Sequence, residues 1–243
     1  MTGTIALHGG GEFLPGDEAF LAAILAAAPS SGDVLRAVVV PTAAARGRPG
    51  LAAANGVSAL TEVAAASSRR VEAEAVPIVD AAGAADDGLA ARLHVADLIY
   101  FPGGDPDLIP TLLRGTAAWA ATVDAWSHGA VLAGASAGAM ALGTWTWTAD
   151  GGVPGLGLVP GLFVVPHADA RSWPRSLERF GAAAPPGLAV IGLAERTGVL
   201  IGQDGSWRVV GPGEVRWLAP GWARPDDARV YRAGDTLLPA DRA

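Results

Sequence analysis

Ala130-Val131-Leu132-Ala133-Gly134-Ala135-Ser136-Ala137-Gly138-Ala139-Met140-Ala141-Leu142 is the stretch that decides the reading of this chain. Its first six residues form a short, continuously apolar run, as expected of a strand buried on both faces of a parallel sheet. The glycines then mark a tight turn, and Ala137–Leu142 reads as the start of a buried helix. The wider segment Gly129–Ala149 carries no Asp, Glu, Lys or Arg. It approaches the roughly 20 residues of a membrane span. Gly129, Gly134, Gly138 and Gly143, with Ser136 and several Thr, favour strand, turn and helix instead.

The turn itself, Gly134-Ala135-Ser136-Ala137-Gly138, has the form G-x-S-x-G. A serine on a sharp strand-to-helix turn has strained backbone angles and closely packed neighbours, which Gly and Ala tolerate. The helix that follows aims its first N–H groups at developing negative charge. In a Gly- and Ala-rich chain the same pattern also arises as a plain packing turn, so partners must be sought.

Outward from this turn, short apolar runs alternate with Ala-rich helical stretches. Strands are expected at Thr4–His8, Arg36–Pro41, Ala73–Val79 (interrupted by Pro77) and Asp97–Phe101. Helices are expected at Asp17–Ala28, Leu51–Ser67, Asp86–His94, Asp107–Arg114 and Thr116–His128. This alternation predicts a doubly wound α/β fold. After about residue 160 the rhythm changes to short strands: Leu162–Val165, Leu188–Leu193, Val199–Gly202, Trp207–Val210 and Val215–Leu218. Asp204-Gly205 signals a hairpin. A last strand is expected near Arg229–Arg232.

A serine nucleophile needs a base, most often His. The chain has four: His8, His94 and His128 precede Ser136, and only His167 follows it. His167 lies just past the Leu162–Val165 run, where α/β enzymes place their sites. The base in turn needs an acid to orient it. Asp150, Asp169 and Glu195 are the candidates. Asp150 ends the uncharged stretch, and Glu195 ends the apolar run 188–194. Arg171 is four residues beyond His167 and suits bidentate capture of a carboxylate. Equally, Arg171, Arg175 and Arg179 are spaced as one solvated helix face.

Composition narrows the classes. The chain has 243 residues, 51 % apolar and 17 % charged, enough for a large core, with net charge −7. One domain over 1–243 is expected, with 220–243 as a C-terminal extension. All 17 basic residues are Arg, and no basic block suggests nucleic acid or an anionic membrane as partner. There is no Cys, which excludes disulfides, thiolate metal sites and a cysteine nucleophile. The N-terminus lacks the basic segment and long apolar run of a signal peptide, so a cytoplasmic location is expected. A homodimer is compatible with an apolar chain carrying eight Trp.

Taken in order, these segments are recognisable. Gly9-Gly10-Gly11, Tyr100-Phe101-Pro102-Gly103-Gly104-Asp105, Gly134–Ala139, Gly155–Gly161, His167 with Arg171 and Arg175, and Ile191–Glu195 are spread over residues 5–215. The chain resembles the dipeptidase E and cyanophycinase family of serine peptidases. That resemblance implies a flavodoxin-like three-layer sandwich with a mostly parallel central sheet and C-terminal β-hairpins. It implies Ser136 as nucleophile and His167 as base. Asp150, falling between them, is the acid it favours; Glu195 is the alternative. It implies an oxyanion hole from the N–H groups of Gly104 and Ala137, with Asp105 shaping that turn. The expected substrate is a small peptide or amide containing Asp or β-Asp, and no metal or organic cofactor is expected. Ala194 and Pro106 stand where cyanophycinase-like members tend to have Asp and Gln, departures that bear on the substrate more than on the chemistry.

Overall fold

The computed structural model describes residues 2–29 and 34–237. In chain order its first half runs β1 (Ile5–His8), α1 (Glu18–Ala27), β2 (Leu35–Val39), α2 (Pro49–Ala66), β3 (Val71–Ala75), α3 (Ala81–Ala85), α4 (Asp87–His94), β4 (Leu98–Phe101), α5 (Leu108–Leu113), α6 (Ala117–Ser127), β5 (Val131–Ala135) and α7 (Ala137–Leu142). The second half holds β6 (Trp145–Thr146), β7 (Val153–Pro154), β8 (Leu162–Val165), α8 (Trp173–Gly181), β9 (Ala189–Leu193), β10 (Gly198–Ile201), β11 (Trp207–Val210), β12 (Val215–Leu218), β13 (Arg229–Tyr231) and β14 (Thr236–Leu237).

The strands form two sheets. The larger has the order β14-β11-β10-β1-β5-β4-β2-β3, and its five strands from β1 to β3 are parallel. The smaller has the order β13-β12-β9-β8-β6-β7, with β6, β8 and β9 parallel. The parallel core makes this a flavodoxin-like α/β sandwich. β4 and β5 are wholly buried because alternate side chains enter different cores. Leu98, Tyr100, Val131 and Ala133 pack with α1 and α2, including Phe20, Leu25 and Leu60. Ile99, Phe101 and Leu132 pack with α3–α7 and with Leu162, Val164, Ile191 and Trp217 of the second sheet. The far face of the second sheet packs Phe163, Val165 and Val190 against Trp173 and Leu177 of α8.

Local chemistry sets several boundaries. The Asp80, Asp86 and Thr116 side chains accept N–H bonds at the starts of α3, α4 and α6, which satisfies donors with no partner inside the helix. Pro174 sits in the first turn of α8, where a missing N–H costs nothing. The third strand ends at Ala75, before Pro77, and starts earlier than the sequence suggested. As an edge strand it turns Glu72 and Glu74 outward, a charged rim that discourages further pairing. The uncharged segment Gly129–Ala149 resolves into β5, α7 and β6, and no helix among the described residues is long and apolar enough to cross a membrane. Between residues 220 and 237, β13 pairs with β12 and β14 with β11, adding an edge strand to each sheet.

Candidate active site

Ser136 stands between β5 and α7 with φ 48° and ψ −110°. A non-glycine residue held there costs on the order of 1–3 kcal/mol, so the surroundings must enforce it. The Ser136 N–H donates to the His8 carbonyl at 2.9 Å, and its own carbonyl accepts from Met140 N–H at 2.9 Å. Both glycines of the motif are sterically required. A Cβ on Gly134 would lie 2.5 Å from the Gly138 carbonyl, and one on Gly138 would lie 2.1 Å from the Phe101 carbonyl oxygen. The glycines thus serve a tight elbow rather than a loose packing turn.

His167 follows β8 and also has a left-handed backbone, φ 52°. Its N–H donates to the Gly9 carbonyl at 2.8 Å, and its carbonyl accepts from Ser172 Oγ at 2.8 Å. Its Nε2 lies 3.0 Å from Ser136 Oγ and its Nδ1 lies 3.1 Å from Glu195 Oε1. An ionised carboxylate only accepts, so Nδ1 carries the proton and Nε2 is free to accept from the serine hydroxyl. Register explains why Glu195 is present. β8 and β9 run parallel with Val165 opposite Gly192, so residues just beyond their carboxyl ends share one edge.

Asp150 is exposed in the turn between β6 and β7, a turn closed by bonds from Gly151 and Gly152 to Thr148. It makes no bond to His167. The structure therefore brings Glu195, and not Asp150, to the imidazole. The reason is positional: β6 lies on the opposite side of β8 from β9.

The glycines after β1 are shaped by the same residues. A Cβ on Gly10 (φ +107°) would lie 2.3 Å from His167 Cε1, and one on Gly11 (φ +70°) would lie 3.3 Å from the Glu195 carboxylate. The loop is tied down beneath. His8 Nε2 lies 2.9 Å from Asp17 Oδ1, both side chains being buried, and neither atom has another hydrogen-bond partner among the described residues. Asp17 Oδ2 accepts from Phe13 N–H at 2.9 Å. His8 is thereby a support beneath the loop.

The turn after β4 faces the serine from the other side. Gly104 has φ +151°, and a Cβ there would sit 2.1 Å from the Ala43 carbonyl oxygen, to which Asp105 N–H donates at 2.7 Å. The N–H groups of Gly104 and Ala137 donate to no acceptor among the described residues. Asp105 lies 3.8 Å from Arg46, whose main partner is Asp107 at 2.7 Å; that guanidinium holds the Asp107 carboxyl below its ordinary range. Arg171 is exposed on the turn before α8, and Arg175 and Arg179 are exposed on the helix itself. Arg179 lies over the Trp147 ring, 5.2 Å from its centroid.

One residue escaped the sequence reading. Glu12, directly after the three glycines, accepts from Gly103 N–H through Oε1 at 2.7 Å. The cue was available: a charged residue ending a glycine run that follows a buried strand. Beneath it, the Tyr100 hydroxyl is fully buried, and burial, Asp17 and Glu12 together hold it protonated well above the usual tyrosine value.

The chain is similar to known proteins over most of its length. The model of the family described as Peptidase family S51 matches residues 5–209. Cyanophycinases of Synechococcus elongatus and Thermosynechococcus vestitus are each 29 % identical over 161 residues. That alignment takes in 61 % of this chain and 50 % of each relative, so the chain matches about half the length of these curated proteins. The crystal structure of a peptidase from an acI-B1 Actinobacterium superposes with TM-score 0.79 at 25 % identity, covering 98 % of this chain and 97 % of that one. A putative peptidase E protein from Listeria monocytogenes EGD-e shares the fold, with TM-score 0.58 at 14 % identity over 88 % of this chain and 99 % of that one.

Proposed function

The chain belongs to peptidase family S51, and from that premise we propose that it hydrolyses an amide bond in a small peptide through Ser136, His167 and Glu195. The observation that carries this is the continuous contact from Ser136 Oγ to His167 Nε2 at 3.0 Å and from His167 Nδ1 to Glu195 Oε1 at 3.1 Å, set on a strained elbow. In the first step His167 takes the Ser136 proton as the oxygen attacks the carbonyl carbon. The Gly104 and Ala137 N–H groups stabilise the oxyanion. Protonated His167 gives the proton to the leaving amine as the C–N bond breaks. Water, deprotonated by His167, then attacks the acyl-enzyme, and the proton returns to Ser136 as the acyl group leaves. Glu195 keeps the imidazole in the required tautomer and offsets its positive charge.

The two matched relatives are cyanophycinases, which favours an Asp- or β-Asp-containing peptide as substrate. Arg171, exposed and four residues past His167, is the candidate clamp for its carboxylate. The test is amino acid release from a dipeptide library by wild type and Ser136→Ala, with fluorophosphonate labelling in parallel. Cleavage of Asp or β-Asp members, lost in Ser136→Ala, is the expected result. Labelling of Ser136 without turnover of any dipeptide would move the substrate outside peptides.

A further inference from the structure

Glu12 is a half-buried carboxylate beside the nucleophile with a single hydrogen-bond partner among the described residues, the Gly103 N–H at 2.7 Å. It has no ion-pair partner among the described residues. A Cβ placed on Gly103 would be 2.9 Å from Glu12 Oε1 and 3.2 Å from Ser136 Cβ. The carboxylate oxygen and the serine Cβ are therefore no more than about 6 Å apart. Among the described residues only Oε1 of Glu12 is engaged, so Oε2 keeps its lone pairs for a donor.

We propose that Glu12 is a specificity-determining residue, which receives the free ammonium group of the substrate's acyl residue. This rests on the reading of Ser136 as nucleophile. A reacting carbonyl carbon sits about 3 Å from the attacking oxygen. An amino group on the carbon next to that carbonyl then falls in the span between Ser136 and Glu12. A charge at the end of a long side chain does not. A partly desolvated carboxylate without a cation carries a cost that a bound ammonium offsets. The glycine run explains why the reach is possible: Gly10 and Gly11 pass against His167 and Glu195 with no side chains, and Glu12 is the first side chain beyond them. The substrate class is therefore a short peptide or amide with a free amino terminus at the scissile residue.

Glu12→Gln separates the two things this residue can do. The amide oxygen still accepts from Gly103 N–H, but the charge is gone. The probes are aspartyl-alanine and N-acetyl-aspartyl-alanine, with binding to Ser136→Ala and to Ser136→Ala/Glu12→Gln measured by calorimetry so that no turnover is needed. A charge-assisted hydrogen bond corresponds to about 10- to 100-fold in affinity. Ser136→Ala is expected to favour the free amine by that factor, and the double variant to bind both probes alike. An equal preference in both proteins, or none in either, overturns the proposal. Fluorophosphonate labelling of the Glu12→Gln single variant reads the separate contribution of Glu12 to the Gly103 turn beside the nucleophile. A large fall there, with the free-amine preference intact, would make Glu12 a support of the Gly103 turn and nothing more. Failure of wild type to cleave any dipeptide would count against the peptidase reading alone, since the binding comparison is independent of it.

Discussion

Gly10→Ala is the substitution whose effect follows most directly from the geometry. Gly10 has φ +107°, and a Cβ there would lie 2.3 Å from His167 Cε1, 2.9 Å from Nδ1 and 3.0 Å from Nε2. Ordinary contact begins near 3.4 Å, so the ring must retreat by about 1 Å, because the glycine backbone is held by N–H bonds from His167 to the Gly9 carbonyl and from Arg196 to the Gly10 carbonyl. The ring tip is free to swing, but both nitrogens are engaged, at 3.0 Å to Ser136 and 3.1 Å to Glu195. A retreat of that size takes at least one of them out of hydrogen-bond range. Misplacement by about 1 Å costs on the order of 100-fold in rate, or about 2.7 kcal/mol of barrier. The positive φ adds about 1–3 kcal/mol of backbone strain against folding. The rate of Ser136 labelling by a fluorophosphonate reads the first term and urea denaturation the second. Gly11→Ala is the control. Its φ of +70° lies at the edge of the left-handed region that other residues can adopt, and its nearest contacts are 3.3 Å, to Glu195 Cβ and Oε2, so its labelling rate should fall by less than about tenfold. A folded Gly10→Ala protein that labels within about threefold of wild type would refute the claim that this loop fixes the imidazole.

Other outcomes follow from the same contacts. Glu195→Gln should lower kcat by about 100-fold or more, because the amide no longer selects the productive tautomer, while exposed Asp150→Asn stays within twofold; the reverse ranking in steady-state assays would restore Asp150 as the acid. Asp17→Ala leaves the buried His8 Nε2 and Phe13 N–H without their acceptor, at a cost of about 3 kcal/mol in urea unfolding; a loss under about 0.5 kcal/mol would mean the pair does not hold the loop. The Tyr100 hydroxyl has no hydrogen-bond partner among the described residues, so Tyr100→Phe should be neutral or slightly stabilising at pH 7. Its raised folded-state pKa means the native phenol keeps its proton while the unfolded one loses it near pH 10. That contribution is complete below about pH 10 and is lost as pH rises further. Tyr100→Phe should therefore lose less stability than wild type between about pH 9 and 11, and parallel unfolding curves over that window would contradict the burial argument.

The fold was readable where burial is strongest. The run 130–135 anticipated β5 (Val131–Ala135), and Asp97–Phe101 anticipated β4, because every residue in both is apolar or small and enters one of two cores. The third strand was misjudged because its alternating Glu72 and Glu74 belong to an edge, where one side faces solvent. Division into two sheets was not readable. It depends on which strands pair, and strands as alike as Leu162–Val165 and Gly198–Ile201 end in different sheets.

The same distinction governs the site. Ser136 and His167 announce themselves locally, one by an elbow of small residues and the other by standing just past a buried strand. The carboxylate that meets His167 does not, because Asp150 and Glu195 both follow apolar runs, and chain order favours Asp150. What selects Glu195 is the parallel pairing of β8 with β9, and pairing is decided by register. Yet the glycines hold a record of the answer. Gly10 meets His167 at 2.3 Å and Gly103 lies between Glu12, at 2.9 Å, and Ser136, approaches that leave no room for a larger residue without displacement, while Gly11 runs past Glu195 at 3.3 Å. Glycines that a turn needs for its backbone angles are common. Glycines that would collide with functional side chains mark where those side chains must be. A triple-glycine run after a central strand therefore specifies more than flexibility: it is the surface against which His167 and Glu195 are set.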